Sequence, residues 1–230
     1  MALLEGIRHI SFDLWLTLIC SNPEYKSRRA VLMAQHFGVR RSDAEVQEVF
    51  TYHDRLFNRI NERAGGNVQY SEMLYVILDR LGVPPDAIEE EAMTAYYQKA
   101  ELLFFEHMPR LLDTGTAGIL EALRAKGHTL SILSNTGFIL GRTLRPVLER
   151  LGIAVYFDFQ LYSDEIGSSK PSFKAYGQLM EASARLRPLE KEELLHVGDN
   201  PIADLEGARR FGFRSALLEQ DATLRNLFLN

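Results

Sequence analysis

From residue 109 onward the chain alternates between two hydrophobic rhythms, and this alternation constrains the fold more than any other feature. Three- and four-residue spacing marks helices near 116–126, 139–151, 172–184 and 204–211, while short apolar runs near 129–133, 157–162, 194–197 and 215–218 read as strands. A further apolar run, with Ile7, Ile10 and Phe12, precedes Asp13. Strands that alternate with helices predict a Rossmann-like parallel sheet covered on both faces, an α/β fold. Residues 23–106 interrupt this order with helical spacing only. Val46, Val49, Phe50, His53, Phe57 and Ile60 share one face, as do Met73, Leu74, Ile77, Leu78 and Leu81. Gly65-Gly66 and Val83-Pro84-Pro85 mark loops, and Pro23, Pro84 and Pro85 stand where helices are expected to begin. The expected organisation is an α/β core of residues 1–19 and 108–230, with a helical cap domain of residues 20–107 inserted after the first strand.

Composition narrows the partners. With 46% hydrophobic and 25% charged residues, the chain has the make-up of a soluble globular protein. A net charge of −5 argues against a nucleic-acid or anionic-membrane surface, which needs a basic face. The single cysteine, Cys20, allows no internal disulfide and no cysteine metal cluster, and reads as a buried, inert thiol. MALLEGIRHISF lacks the basic start and long apolar core of a signal peptide, and no apolar run reaches the roughly eighteen residues of a membrane span. The expected location is the cytoplasm. Oligomeric state leaves no trace in the sequence.

Parallel sheets of this kind bind ligands beyond the carboxyl ends of their strands. The polar residues expected there are Asp13 after the first strand, Ser134 and Asn135 after the second, and Asp199 after the strand 194–197. Lys170 precedes Pro171 in a loop, and Asp204 closes the segment DNPIAD. Several carboxylates in one pocket repel one another unless a cation is present. An oxygen-only donor set points to a hard ion, with Mg2+ the best match. A hydroxyl, a lysine and backbone N–H groups at helix starts supply an anion cradle suited to a phosphoryl group. Together these predict attack by a carboxylate on phosphorus or carbon.

On these residues the chain resembles the haloacid dehalogenase (HAD) superfamily. ISFDLWLTL resembles its first motif, D-x-D-G-T after an apolar strand; LSILSNT resembles the second, DEIGSSKPS the third and HVGDNPIADLEGARRFG the fourth. The four occur in the family's order, with room for a cap between the first and second. The resemblance implies Asp13 as nucleophile, and Asp13, the Trp15 carbonyl and Asp199 as Mg2+ ligands. It implies phosphate binding by Ser134, Asn135, Lys170 and Thr17, with Thr17 ordering the loop after Asp13. Lys170 would neutralise charge, and Asp204 would position Lys170 or a metal-bound water. The implied substrate is a small anionic, phosphorylated metabolite.

Two positions depart from that pattern. The family's phosphatases place an acid–base aspartate where this chain has Trp15, whose indole N–H donates a hydrogen bond but exchanges no proton near neutral pH. General acid–base help contributes about 10²–10⁴-fold, so hydrolysis of ordinary phosphate esters is expected to be slow. The family glycine is Leu16, which restricts the backbone angles that glycine allows. Trp15 also reads as a large apolar wall between core and cap. Two branches of the family lack the second acid. The 2-haloacid dehalogenases carry a tyrosine there and also lose the fourth-motif acids, which this chain keeps. Phosphonoacetaldehyde hydrolases use a cap lysine; the cap offers Lys26 and Lys99, each of which reads chiefly as a surface lysine. Arg28, Arg29, Arg40 and Arg41 read chiefly as solvated helix charges and His196 as a packed core residue. The leading expectation is a Mg2+-dependent phosphatase working through an aspartyl-phosphate on Asp13. Halide displacement from a 2-haloacid and a binding or regulatory protein of the same fold are the alternatives.

Overall fold

His9–Phe12 (β1) is buried at every position, the pattern of a strand covered on both faces. In the computed structural model, which describes residues 2–220 and 222–228, β1 is the middle strand of a five-stranded sheet. The chain leaves β1 through Ile19–Cys20 (β2) and enters four helices, Pro23–Phe37 (α1), Asp43–Ala64 (α2), Tyr70–Arg80 (α3) and Glu90–Glu106 (α4). Arg110–Leu111 (β3) brings it back, pairing antiparallel with β2 so that Ile19 faces Leu111 and Cys20 faces Arg110. The rest alternates: Thr116–Ala125 (α5), Thr129–Ser134 (β4), Gly141–Arg150 (α6), Phe159–Tyr162 (β5), Ser163–Ile166 (α7), Phe173–Leu186 (α8) and Leu194–Gly198 (β6). A π-helical turn, Pro201–Glu206, runs into Gly207–Phe211 (α9), then Arg214–Leu217 (β7) and Leu224–Phe228 (α10).

The sheet order is β5-β4-β1-β6-β7, and every neighbouring pair is parallel. Register puts Phe12 beside Ile132 on one side and Val197 on the other. The chain crosses from β1 to β4 on one flank and later to β6 on the other, so β1 stands at the point where strand order reverses. A crevice forms at such a point beyond the carboxyl ends of the strands.

The helices begin and end for local reasons. Pro23 opens α1 while the Asn22 side chain accepts from the Glu24 N–H at 3.0 Å. Ser42 and Glu45 cap α2 reciprocally. Residues at helical spacing, among them Phe50, Phe57, Leu74 and Ile77, pack into an apolar cluster drawn from residues 30–100 and joined by Phe138 from the loop after β4. A second cluster, including Ile10, Phe12, Leu14, Leu120 and Ile132, fills one face of the sheet.

The α/β reading of the sequence holds, with small local differences. Pro84 and Pro85 do not open an α-helix; Pro85–Ala87 forms one 3-10 turn, and α4 starts at Glu90. The last motif helix starts earlier, in the π-helical turn at Pro201. Two-residue strands such as β2 and β3 carry no readable period and exist because they pair with each other. Among the described residues no helix is long and apolar enough to cross a membrane.

Candidate active site

The ends of β1, β4 and β6 converge as adjacent strands must. The Asp13 N–H donates to the Val197 carbonyl at 2.8 Å, which carries the β1–β6 ladder one residue past the strand and aims Asp13 over the sheet edge. Asp199 follows Gly198, the last residue of β6. Gly198 is required by close approach: a Cβ there would collide with the Asp204 carboxyl group. The Asn200 side chain accepts from the Ile202 and Ala203 N–H groups, both at 2.9 Å, starting the turn that carries Asp204 back under the site. The Asn200 N–H donates to Asp204 Oδ2 at 2.9 Å.

Lys170 joins these elements. Its Nζ donates to Asp13 Oδ1 and to Asp204 Oδ1, each at 2.6 Å, and the lysine side chain is 2% exposed. Across the sheet the Lys170 N–H donates to Asn135 Oδ1 at 2.8 Å, while Asn135 Nδ2 donates to the Lys170 carbonyl at 2.9 Å. The amide of Asn135 therefore clamps the lysine loop to the end of β4. Thr17 Oγ1 donates to Asp13 Oδ2 at 3.4 Å. Ser134 is buried, and its hydroxyl donates to the Asn135 carbonyl at 3.3 Å. His196 lies under the floor, as expected of a core residue, with its ring nitrogens 3.1 Å from Ser11 Oγ and from Asp204 Oδ1. Burial lowers its basicity, outweighing the Asp204 hydrogen bond that favours the charged ring.

Charge is unevenly matched. Asp13, Asp199 and Asp204 each bring a carboxylate oxygen within 4.8 Å of the other two, facing the single ammonium of Lys170. Asp204 stays ionised: burial opposes this, but the Lys170 charge and the His196 hydrogen bond hold its carboxyl well below the usual range. Asp13 then carries the deficit. Burial pushes it up to about 7 against the pull of Lys170, and the Asp204 charge adds to the rise. Asp199 is pushed up to about 6 by burial and by Asp204. Burial would also discharge Lys170, yet its two carboxylate partners hold its pKa above the usual lysine value. A set of oxygen donors with surplus negative charge suits a hard divalent cation, so these residues fit Mg2+.

A cleft of about 380 Å³ opens over this floor, lined by Asp13, Asn135, Lys170, Asp199 and Asp204 below and by residues of α1 and α2 above. Trp15 and Leu16 form part of its wall. Leu16 has φ of +59°, the left-handed region that a glycine at this position would enter without cost, and its side chain is exposed.

Sequence reasoning missed the residues that reach the site from the helical block. Glu62 of α2 accepts from Asn200 Nδ2 at 2.8 Å. Asn67 accepts from Ser163 Oγ at 2.7 Å, and the Gly65 carbonyl accepts from the Ser169 N–H at 3.1 Å. None has a spacing signal, since each partner lies far along the chain. Of the four arginines read as solvated, Arg28, Arg40 and Arg41 are exposed, whereas Arg29 is buried in the cleft wall. It sits on the buried face of α1 one turn after Tyr25, a helical adjacency the sequence does contain. Lys26 lines the cleft; Lys99 instead lies 3.2 Å from His36 on the exposed side of α4. Cys20 is half-buried rather than buried, its sulfur accepting from Arg110 Nε at 3.3 Å.

The chain is similar to several known proteins. A family model described as haloacid dehalogenase-like hydrolase matches residues 7–212. The human haloacid dehalogenase-like hydrolase domain-containing protein 3 is 33% identical over 109 residues, which are 47% of this chain and 40% of that protein. The chain thus spans less than half the length of that relative. A glyceraldehyde 3-phosphate phosphatase of Methanopyrus kandleri is 27% identical across 90% of this chain and 81% of its own. Among solved structures, the magnesium-bound HAD-hydrolase YfnB of Bacillus subtilis superposes with a TM-score of 0.69 at 18% identity, covering 97% of both chains. With the family model running from before β1 to the end of α9 and so across every strand end that forms the site, the chain belongs to the haloacid dehalogenase-like hydrolase family.

Proposed function

We propose that the protein is a Mg2+-dependent phosphatase for a small phosphorylated metabolite, with residues 20–107 acting as a cap that closes over residues 1–19 and 108–230. The observation that carries this reading is Lys170 Nζ held 2.6 Å from both Asp13 and Asp204 beside a third carboxylate, Asp199. The relative named as a glyceraldehyde 3-phosphate phosphatase supports the substrate class.

In this reading an oxygen of Asp13 attacks phosphorus, the ester oxygen leaves, and an aspartyl-phosphate forms on Asp13. Water then hydrolyses that intermediate and restores the carboxylate. Asp13, Asp199 and the Trp15 carbonyl would hold Mg2+, which when bound would supply positive charge against the carboxylates and phosphoryl oxygens. Lys170 offsets charge between nucleophile and substrate, and Asp204 holds Lys170 in place. Ser134 and the backbone N–H groups after β4 receive phosphoryl oxygens, Asn135 keeps the lysine loop in register, and Thr17 orients Asp13. The proton for the leaving oxygen has no donor at position 15, so acyl and aryl phosphates, whose leaving groups need little protonation, are the preferred substrates.

The test is a panel of acyl, aryl and alkyl phosphates and 2-haloacids, assayed with Mg2+ and with chelator for the wild type and Asp13→Asn. Phosphate release that needs both Mg2+ and Asp13 is the expected result. Metal-independent halide release, or no turnover of any compound, overturns it.

A further inference from the structure

Arg29 is a cation buried in the cleft wall with no anion to balance it. Its residue is 8% exposed, and its Nε has no hydrogen-bond partner. Among the described residues no carboxylate lies within ion-pair distance of its guanidinium. Aromatic faces surround it instead: its Cζ lies 4.3 Å from the ring centre of Phe50, 4.7 Å from Phe138 and 5.4 Å from Tyr25. Phenols complete the surroundings. Burial raises the Tyr25 and Tyr96 hydroxyls while the Arg29 charge pulls both down, and the buried Tyr96 hydroxyl has no partner. These groups solvate a guanidinium poorly. Ring faces offset only part of the hydration that a buried ion loses, and they leave its Nε–H unpaired.

Arg29 and Asp13 line the same cleft, one from α1 and the other from past the end of β1. At about 380 Å³ the cleft is small enough for one compact molecule to span both. A guanidinium matches the two oxygens of a carboxylate through paired N–H donors. We infer that Arg29 binds a second anionic group of the substrate, a carboxylate at the end remote from the reacting phosphoryl group. The inference deepens the phosphatase reading: it names the substrate class as small phosphorylated carboxylic acids and makes Arg29 the residue that selects them. Phe138 contributes as well, since it lies two residues past the β4 motif and places its ring against the arginine, joining the phosphoryl end of the cleft to the selecting end.

Binding of non-hydrolysable ligands tests this independently of turnover. In the presence of Mg2+, calorimetry compares 3-phosphonopropionate with propylphosphonate, which has the same chain length but lacks the carboxylate. The wild type is expected to bind the carboxylated ligand about tenfold to a hundredfold more tightly, the range of a charge-assisted hydrogen bond. Arg29→Met keeps an unbranched apolar side chain among the rings but no N–H donor, and is expected to erase the preference while leaving propylphosphonate affinity in place; Arg29→Lys is expected to retain part of it. Equal affinities in the wild type, or a preference that survives in folded Arg29→Met, overturns the inference. If Arg29→Met fails to fold, the wild-type comparison decides alone. A preference found in a protein that hydrolyses no phosphate ester supports the role of Arg29 and defeats the phosphatase reading, so the two fail separately.

Discussion

Trp15 is the residue on which reactivity turns. It stands two positions after Asp13 in the cleft wall and offers an indole N–H where an acid would give and take a proton. Replacing it with a carboxylic acid supplies the missing group. Trp15→Asp is expected to raise kcat on alkyl phosphates by about 10²-fold, and to change aryl phosphate turnover much less, because aryl oxygens leave with little help. The ratio of the two rates in wild type and variant is the measurement. An unchanged ratio in a folded variant means that Trp15 does not limit the chemistry. Asp13, Asp199 and Asp204 were legible at this scale because each follows a strand or helix boundary that local periodicity marks. Their state of charge was not legible. That Asp204 stays ionised while Asp13 rises depends on which of them also receives His196 and the Asn200 N–H.

Among the described residues, Leu16 in the turn between β1 and β2 is the only non-glycine residue with a positive φ. Leu16 holds a φ of +59° with its side chain exposed, so it carries a left-handed backbone without the burial that would offset it. The left-handed region costs a non-glycine residue roughly 1–2 kcal/mol, and glycine gives back about 0.5–1 kcal/mol through its freer unfolded chain. Leu16→Gly is therefore expected to stabilise the protein by about 0.5–1 kcal/mol, a rise in Tm of about 1–4 °C by thermal melting. A fall in Tm would mean that the Leu16 side chain holds the turn together. The long helices and the strands β1, β4, β5, β6 and β7 were readable because eight or more residues repeat a period, or because a short run rich in apolar residues is bounded by turn residues. The ribbon of β2 and β3 was not, since its two strands lie about ninety positions apart and each is two residues long.

For the whole molecule, acid stability reports on how firmly the sheet core is sealed. His9 of β1 is fully buried, 2.7 Å from Thr129 Oγ1 and 2.8 Å from Ser131 Oγ, with its ring stacked on Phe159. Burial pushes its pKa down to about 3, with the Asp158 charge opposing and Arg187 adding to the shift. The folded protein thus keeps His9 neutral, whereas the unfolded chain protonates it near 6.5. Its contribution to stability is complete above about pH 6.5 and declines as pH falls towards 3, because unfolding then takes up a proton. At pH 5 the wild type is expected to take up about one more proton on unfolding than His9→Gln, measured from the pH dependence of denaturant unfolding. Equal uptake would mean that His9 is already charged in the folded protein.

The sequence by itself determined the α/β alternation, the inserted helices and the polar residues at the strand ends, because these follow from spacing over a few residues and from backbone preferences that act locally. Tertiary structure alone decided the contacts that give the site its character. Lys170 reaches Asp13 across 157 positions of chain, and Asn200 reaches Glu62 across 138. Arg29 meets Phe138 only because α1, α2 and the loop after β4 pack together. The sequence places Arg29 one helical turn after Tyr25, but its burial against Phe50 and Phe138 comes from the packing of separate elements. Such contacts depend on where whole helices come to rest against the sheet, and no local period encodes that.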